Sequence, residues 1–263
     1  MPRKSLKNIH RLIETAKRGA PIPESFLADL GRTIARSQGT RKPSQAYKPS
    51  SMTCIRNMYF QIVGAEMDEG LPDADFVGIC ESGTARHEYI QNYVSKMKKY
   101  DIDCEYVDVS EYIKEHKLTH LIVVKKMGYE TKLKHTTLNI SFLCDGIIKY
   151  KGKYYILEIK TEASQKWYKR EGVDPKHFAQ ATTYSLSLEI DDVMFLYENR
   201  NLCGKKVYIL HVTDDMKNDL VISKIEACDE YVRRIKVPPM PVGYPNNSCN
   251  YCKYKRVCSG AGG

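Results

Sequence analysis

The chain has 263 residues, enough to bury a core of its own, and its 42% hydrophobic and 28% charged residues exclude the composition of an intrinsically disordered chain. Lysine and arginine total 41 against 32 acidic residues, a net charge of +9 that favours contact with a polyanion. No run approaches the roughly 18 to 20 apolar residues of a membrane span, and the opening MPRKSLKNIHRLIETAKRG lacks the apolar core of a secretory signal, so a cytoplasmic location without membrane contact is expected.

Residues 1–50 read as an extension, with basic helices over about 5–18 and 24–37 and then a Ser-, Pro- and Gly-rich linker, SQGTRKPSQAYKPSS. A helix over about 51–63 carries Cys54 and Arg56 and stops at Gly64; a longer one over about 83–99 carries His87. Strand-like runs follow: HLIVVKK, YETKLK, LNISFLCDGIIKY and KYYILEIKT, the last two separated by Lys151-Gly152. FAQATTYSLSLEI has helical spacing, VMFLYEN and KKVYILHV read as strands, and about 214–235 reads as a helix before a Pro-rich tail. The expected class is α/β, a central mixed sheet flanked by helices. Gly146 and Gly152–Lys153 do not make a phosphate loop, because five residues separate the glycines and Tyr154 stands where Ser or Thr is needed.

If Lys151-Gly152 is a two-residue turn, paired residue numbers sum to 303, and Asp145 stands directly across from Glu158. Alternation puts Lys160 on the face of Glu158 and sends Leu157 and Ile159 to the other. Opposed like charges destabilise a sheet, and a divalent cation would relieve them; oxygen ligands suit magnesium or manganese. Such a cation polarises phosphoryl oxygens and acidifies water, with Lys160 placed to steady developing negative charge. A half-solvated polar strand face would produce the same three residues.

Asp145, twelve intervening residues and Glu158-Ile159-Lys160 on a hairpin resemble the PD-(D/E)xK nuclease superfamily, and flanking residues narrow the resemblance to its RecB-like exonuclease branch. These are His87 in SGTARHEYIQNYV, and Gln180 with Tyr184 in FAQATTYSL, one turn apart on one helical face. The resemblance implies a restriction-endonuclease-like core, metal ligation by His87, Asp145, Glu158 and the backbone carbonyl of Ile159, and a catalytic Lys160. Gln180 and Tyr184 would orient the centre and the DNA strand. Glu88 and His177 stand close enough in sequence to assist or substitute, and Leu143-Cys144-Asp145 replaces the family's Pro-Asp.

Cys249, Cys252 and Cys258 form a compact trio in PNNSCNYCKYKRVCSG, and three thiolates want a fourth. Four thiolates would serve zinc or an iron-sulfur cluster equally. The segment SSMTCIRNMYF, roughly 195 residues upstream, resembles the first-cysteine segment of iron-sulfur RecB-like nucleases, which include CRISPR-adaptation exonucleases and AddB-type nucleases. That resemblance implies a 4Fe-4S cluster on Cys54, Cys249, Cys252 and Cys258, closing a nuclease domain over 51–263. Cys80, Cys104, Cys144, Cys203 and Cys228 stand singly among apolar neighbours and read as small buried residues.

Basic residues recur beside aromatics in Lys166-Trp167-Tyr168-Lys169-Arg170 and Lys253-Tyr254-Lys255-Arg256, and in the first helix through Lys4, Lys7, Arg11, Lys17 and Arg18. Trp167, Lys169, Arg170 and Tyr184 are therefore candidate DNA contacts, with phosphates meeting cations and unpaired bases stacking on rings. Trp167 on the buried side of an amphipathic helix is the alternative. The expected activity is a metal-dependent DNA exonuclease on single strands or free ends, with a 5′ to 3′ polarity implied by the resemblance. The setting would be recombination, replication, end processing or CRISPR adaptation. A non-catalytic iron-sulfur or zinc DNA-binding subunit would keep the cysteines without needing the acidic pair.

Overall fold

A computed structural model describes residues 24–39, 44–68, 72–126, 130–245, 249–250 and 252–260. The chain divides into a small unit, within Met1–Thr40 and Gly70–Glu81, and a larger one, Arg41–Glu69 with Ser82–Gly263. The expected helix at about 5–18 lies outside the described residues. The small unit carries helix α1, Glu24–Ser37, as its spacing predicted.

The larger unit begins with Tyr47 and Pro49, which the sequence suggests as linker but which are buried; Tyr47 bridges to Ile140 and its hydroxyl donates to Asp229 at 2.5 Å. Helix α2, Ile55–Ile62, starts later than expected because a 3-10 turn, Pro49–Ser51, precedes it and Cys54 takes the extended N-cap position. Helix α3, Ala74–Val94, starts earlier than expected and ends sooner, giving way to a 3-10 turn at Met97–Tyr100. Its start is set by Asp73, whose carboxylate accepts the backbone N–H groups of Asp75 and Phe76.

Two further elements carry weak sequence signals. Strand β1 is Cys104–Val107, and helix α4 is Val109–Glu115, capped by Asp108 through the N–H groups of Ser110 and Glu111. Strands β2, Ile122–Lys126, β3, Thr131–His135, and β4, Ile140–Cys144, form an antiparallel three-stranded sheet. Strands β5, Gly146–Tyr150, and β6, Lys153–Glu162, form the hairpin. The run LNISFLCDGIIKY is thus two strands rather than one: at Asp145 the chain leaves one sheet and enters another.

After β6 come α5, Ser164–Tyr168, α6, Phe178–Leu188, and β7, Asp192–Asn199, which lies parallel to β6, as a crossover through helices allows. Strand β8, Lys205–His211, closes a five-stranded sheet of order β1-β5-β6-β7-β8, mixed because only β6 and β7 are parallel. The expected 214–235 helix is α7, Asp214–Lys217, a π turn at Asn218–Ile222 and α8, Ser223–Arg233; α9 is Lys255–Gly260. The fold is therefore mixed α/β with helices about a central mixed sheet.

The hairpin turn works as its residues require. Lys151 and Gly152 both take positive φ, 50° and 78°, and residue pairs from Tyr150↔Lys153 to Gly146↔Leu157 keep the sum of 303. Alternation along β6 then feeds two cores. Ile156 joins Ile147, Val193, Phe195, Tyr184 and Leu188 on the α6 face; Leu157 and Ile159 join Ile90, Cys104 and Ile148 on the α3 face. No helix of the described residues is long and apolar enough to cross a membrane.

Candidate active site

Asp145 sits at the crossing of the two sheets, one residue beyond the β5–β6 ladder, whose last pair is Gly146↔Leu157. Its backbone is fixed from two sides, since its carbonyl accepts from Gln91 Nε2 at 2.6 Å and from the Tyr106 hydroxyl at 2.5 Å. Only glycine fits next to it: a Cβ on Gly146 would lie 2.4 Å from the Tyr106 hydroxyl oxygen. The buried carboxylate is held by the Ile159 N–H, which donates to Oδ2 at 2.8 Å. A strand residue presents its N–H and C=O along the same edge, so the Ile159 carbonyl also projects beside Asp145, past the end of the β5 ladder.

The other Asp145 oxygen, Oδ1, lies 3.3 Å from His87 Nδ1, and Glu130 Oε1 lies 3.7 Å from that same nitrogen. His87, Glu130 and Asp145 each place a ligand atom within 4.8 Å of the others. His87 comes from α3, on the face that also sets Ile90 and Gln91 against the sheet. Glu130 comes from the start of β3 and is the residue that sequence reasoning missed. Burial alone would disfavour a charged His87, but hydrogen bonds to Asp145 and Glu130 outweigh it and raise its pKa to about 9. An imidazolium thus balances two carboxylates where a cation would do the same. One imidazole and two carboxylates form a donor set suited to manganese or magnesium.

Glu158 stands beside this group rather than within it. Its Oε1 accepts from Lys160 Nζ and, at 2.9 Å, from Gln180 Nε2. Burial raises the Glu158 pKa to about 7, with Asp145 adding to the rise and Lys160 opposing it. Lys160 keeps its proton, because although burial opposes the charge Glu158 stabilises it more. Gln180 accepts from Lys160 at 3.2 Å and donates to the Tyr184 hydroxyl at 2.6 Å, so one amide joins both polar residues of β6 to α6. The structure brings together His87, Asp145, Glu158, Ile159, Lys160, Gln180 and Tyr184, all seven expected residues.

The expected DNA contacts differ in placement. Tyr184 is buried against Phe142, with burial pushing its hydroxyl pKa well up, so it supports Gln180 from below and offers no ring to a base. Arg170 is also buried; its guanidinium grips both oxygens of Glu162 and stacks 3.9 Å over the Tyr197 ring, which leaves it committed within the fold. Trp167 is half-buried, donates to the Tyr197 carbonyl at 3.2 Å and is covered by Lys206, so the amphipathic-helix alternative describes it. Lys169 and Tyr168 are exposed. His177 leans on Phe195 and Tyr197, and burial next to Lys160 lowers its pKa to about 3, so it is a neutral ring at physiological pH.

A cleft of about 440 Å³ opens over His87 and Glu130, lined also by Glu88, Gln91, Lys126 and Lys132 among others. Glu88 therefore shares the cleft but not the ligand group.

The four expected cluster cysteines come to one region. Cys54 caps α2, and the second and third residues of that helix reach the C-terminal segment: Arg56 Nε donates to Cys258 Sγ at 3.2 Å, and Asn57 Nδ2 approaches Cys252 Sγ at 3.6 Å. The Cys252 thiol is pushed up by burial and then by Cys54, Cys258 and Cys249. Of the five remaining cysteines, Cys104, Cys144 and Cys228 are buried as expected, whereas Cys80 and Cys203 are exposed.

No family model and no curated protein matches the sequence. Among solved structures, the crystal structure of SSO0001 is similar with a TM-score of 0.43 and 14% identity, covering 90% of this chain and 97% of that one. An alkaline exonuclease, LHK-Exo, from Laribacter hongkongensis is similar with a TM-score of 0.41 and 13% identity over 73% of this chain and 94% of that one. Its complex with dAMP gives 0.39 and 13%, over 73% and 93%. These likenesses are loose and assign no chemistry to this chain.

Proposed function

We propose that this protein is a divalent-metal-dependent DNA exonuclease of the RecB-like PD-(D/E)xK kind, working on single strands or free ends. The supporting observation is the grouping of His87, Glu130 and Asp145 next to the buried Glu158–Lys160 pair, joined to it by the Ile159 N–H that Asp145 accepts. Asp145 and Glu158 are carboxylates that a fold leaves buried and close only with positive charge between them.

His87, Glu130, Asp145 and the Ile159 carbonyl would hold the cation, with Glu158 swinging from Lys160 to complete the set. A bound divalent ion supplies Lewis acidity toward a phosphoryl oxygen and lowers the pKa of water. The remaining work belongs to the side chains. Lys160, kept protonated, sets a positive charge beside the reacting phosphorus and steadies the charge that grows on its oxygens. Gln180 fixes the Lys160 ammonium and the Glu158 carboxylate at once, and the buried Tyr184 hydroxyl fixes Gln180. The net charge of +9 favours a polyanion, and DNA as that polyanion, the 5′ to 3′ polarity and a role in recombination, end processing or CRISPR adaptation belong to the same reading. The cysteines Cys54, Cys249, Cys252 and Cys258 would carry a 4Fe-4S cluster, with zinc as the other ion that fits four thiolates.

With manganese, the purified protein should degrade end-labelled DNA, and Asp145→Ala or Lys160→Ala should slow it by a factor of about 10² or more, as loss of a transition-state charge partner does. Equal rates for wild type and both variants would sink the proposal and favour a DNA-binding subunit without catalysis.

A further inference from the structure

The outer face of the β2–β3 hairpin collects lysines. In a regular register Val124↔Leu133 would be followed by Lys125↔Lys132, with Lys126 turned to the inner face; a bulge at Lys125 instead sets Lys126 across from Lys132. Lys125, Lys126 and Lys132 are all exposed. Like charges placed directly across a ladder destabilise it, and among the described residues neither Lys126 nor Lys132 closes an ion pair, although both line the same cleft as Glu130 and Glu88. Glu130 and Lys132 are two residues apart, so their side chains leave the chain on one side, about 7 Å apart along the strand.

We propose that Lys126 and Lys132 form a phosphate-binding subsite in the cleft beside His87, Glu130 and Asp145, holding the backbone of a nucleic-acid strand at a phosphate next to the one presented for cleavage. This rests on the nuclease reading above and moves the strand's anchor from the Trp167–Arg170 segment, whose guanidinium is buried, to the β2–β3 hairpin. The bulge sets Lys126, in place of Lys125, across from Lys132. The chemistry is that of two point-charge donors with no base-reading partner, so binding is insensitive to sequence and sensitive to salt.

The test measures binding apart from cleavage, by fluorescence anisotropy of a labelled single-stranded oligodeoxynucleotide with calcium replacing manganese. The double variant K126Q/K132Q should bind about tenfold more weakly, and the slope of log affinity on log salt should shrink by about 1.4, at roughly 0.7 for each lost phosphate contact. The single variant K126Q should carry about half of that slope change, and K126R/K132R should stay within about threefold of wild type. Inorganic phosphate should compete with the oligonucleotide for the wild type and more weakly for K126Q/K132Q. Wild-type affinity and slope in K126Q/K132Q, or no oligonucleotide binding by the wild type, overturns the subsite. If phosphate binding alone falls in that variant while oligonucleotide binding holds, the site takes a free anion and the proposal fails as stated. Absence of manganese-dependent cleavage with the binding result intact would overturn the nuclease reading and leave the subsite standing.

Discussion

Glu130 changes the ligand set that the sequence suggests. Asp145 is wedged by Gln91, Tyr106 and Ile159 and has no freedom to move, while Glu158 is occupied by Lys160 and Gln180. The carboxylate that meets His87 and Asp145 directly is Glu130. Replacing it with Gln keeps the shape and removes the charge, and the affinity for manganese should fall at least about tenfold, since even partners outside the ligand shell cost 10–100-fold when removed. Glu88→Gln, in the same cleft but outside the ligand group, should change it by less than about twofold. A calorimetric manganese titration of both variants separates the two carboxylates, and equal losses would return Glu88 to the site. Glu130 was not legible because its signal is not periodic: it stands just before a short strand, β3, where no alternation marks it. Asp145, Glu158 and Lys160 were legible because hairpin register is arithmetic once the turn is known, and Lys151-Gly152 is a turn that takes the required positive φ twice.

At the scale of elements, the strand run through Asp145 shows where local pattern stops informing. Phe142, Cys144 and Ile147 are all buried, so nothing in their hydrophobicity marks the residue at which the chain changes sheets. What holds that crossing are contacts distant in sequence, from Gln91 of α3, Tyr106 of β1 and Ile159 of β6 to Asp145. The helix is tied to the sheet at Arg86, whose guanidinium meets both oxygens of the fully buried Glu198 on β7 at 2.7 and 2.5 Å, with Lys205 of β8 at 3.1 Å. Burial would raise the Glu198 pKa, but the hydrogen bonds from Arg86 and Lys205 outweigh it and hold it below the ordinary 4.5. A carboxylate depressed in the folded state contributes stability that is present above its unfolded pKa and lost as pH falls through the lower folded value. Urea unfolding followed from pH 7 downward should therefore show stability falling below about pH 4.5, the ordinary carboxyl value. Arg86→Ala should cost about 3–5 kcal/mol at pH 7 by leaving a buried charge with half its partners. The variant should also lose less on acidification, because protonating Glu198 then relieves it. An Arg86→Ala curve parallel to wild type across that range would mean that Glu198 does not control the acid limb.

For the whole molecule, the long-range link is the meeting of α2 with the C-terminal cysteines. The sequence offered the spacing of Cys249, Cys252 and Cys258 but not the contacts that join their segment to α2 and the residues after it, which Arg56 and Asn57 make to the sulfurs of Cys258 and Cys252 and Asp68 makes to Arg256. Arg56 is 1% exposed and donates to both the sulfur and the carbonyl of Cys258, and Asp68 accepts from the Arg256 N–H. These bonds hold the segment of Cys258 against α2. A cluster on Cys54, Cys249, Cys252 and Cys258 would then close a loop of about 195 residues in the unfolded chain, which by chain entropy is worth about 5 kcal/mol. At about 2–4 °C per kcal/mol for a chain of this size, that is about 10–20 °C in Tm. Prepared without oxygen, the protein should be brown with broad visible absorption, and Cys249→Ser should lose both the colour and most of that margin. Cys203→Ser, at an exposed thiol outside the cluster, should keep both. Metal analysis decides the ion: zinc in place of iron, in a colourless protein with the same thermal margin, would leave the staple and remove the iron-sulfur assignment. A colourless, metal-free protein with unchanged Tm in Cys249→Ser would remove the staple as well, because the hydrogen bonds of Arg56 and Asn57 would then suffice to close the chain.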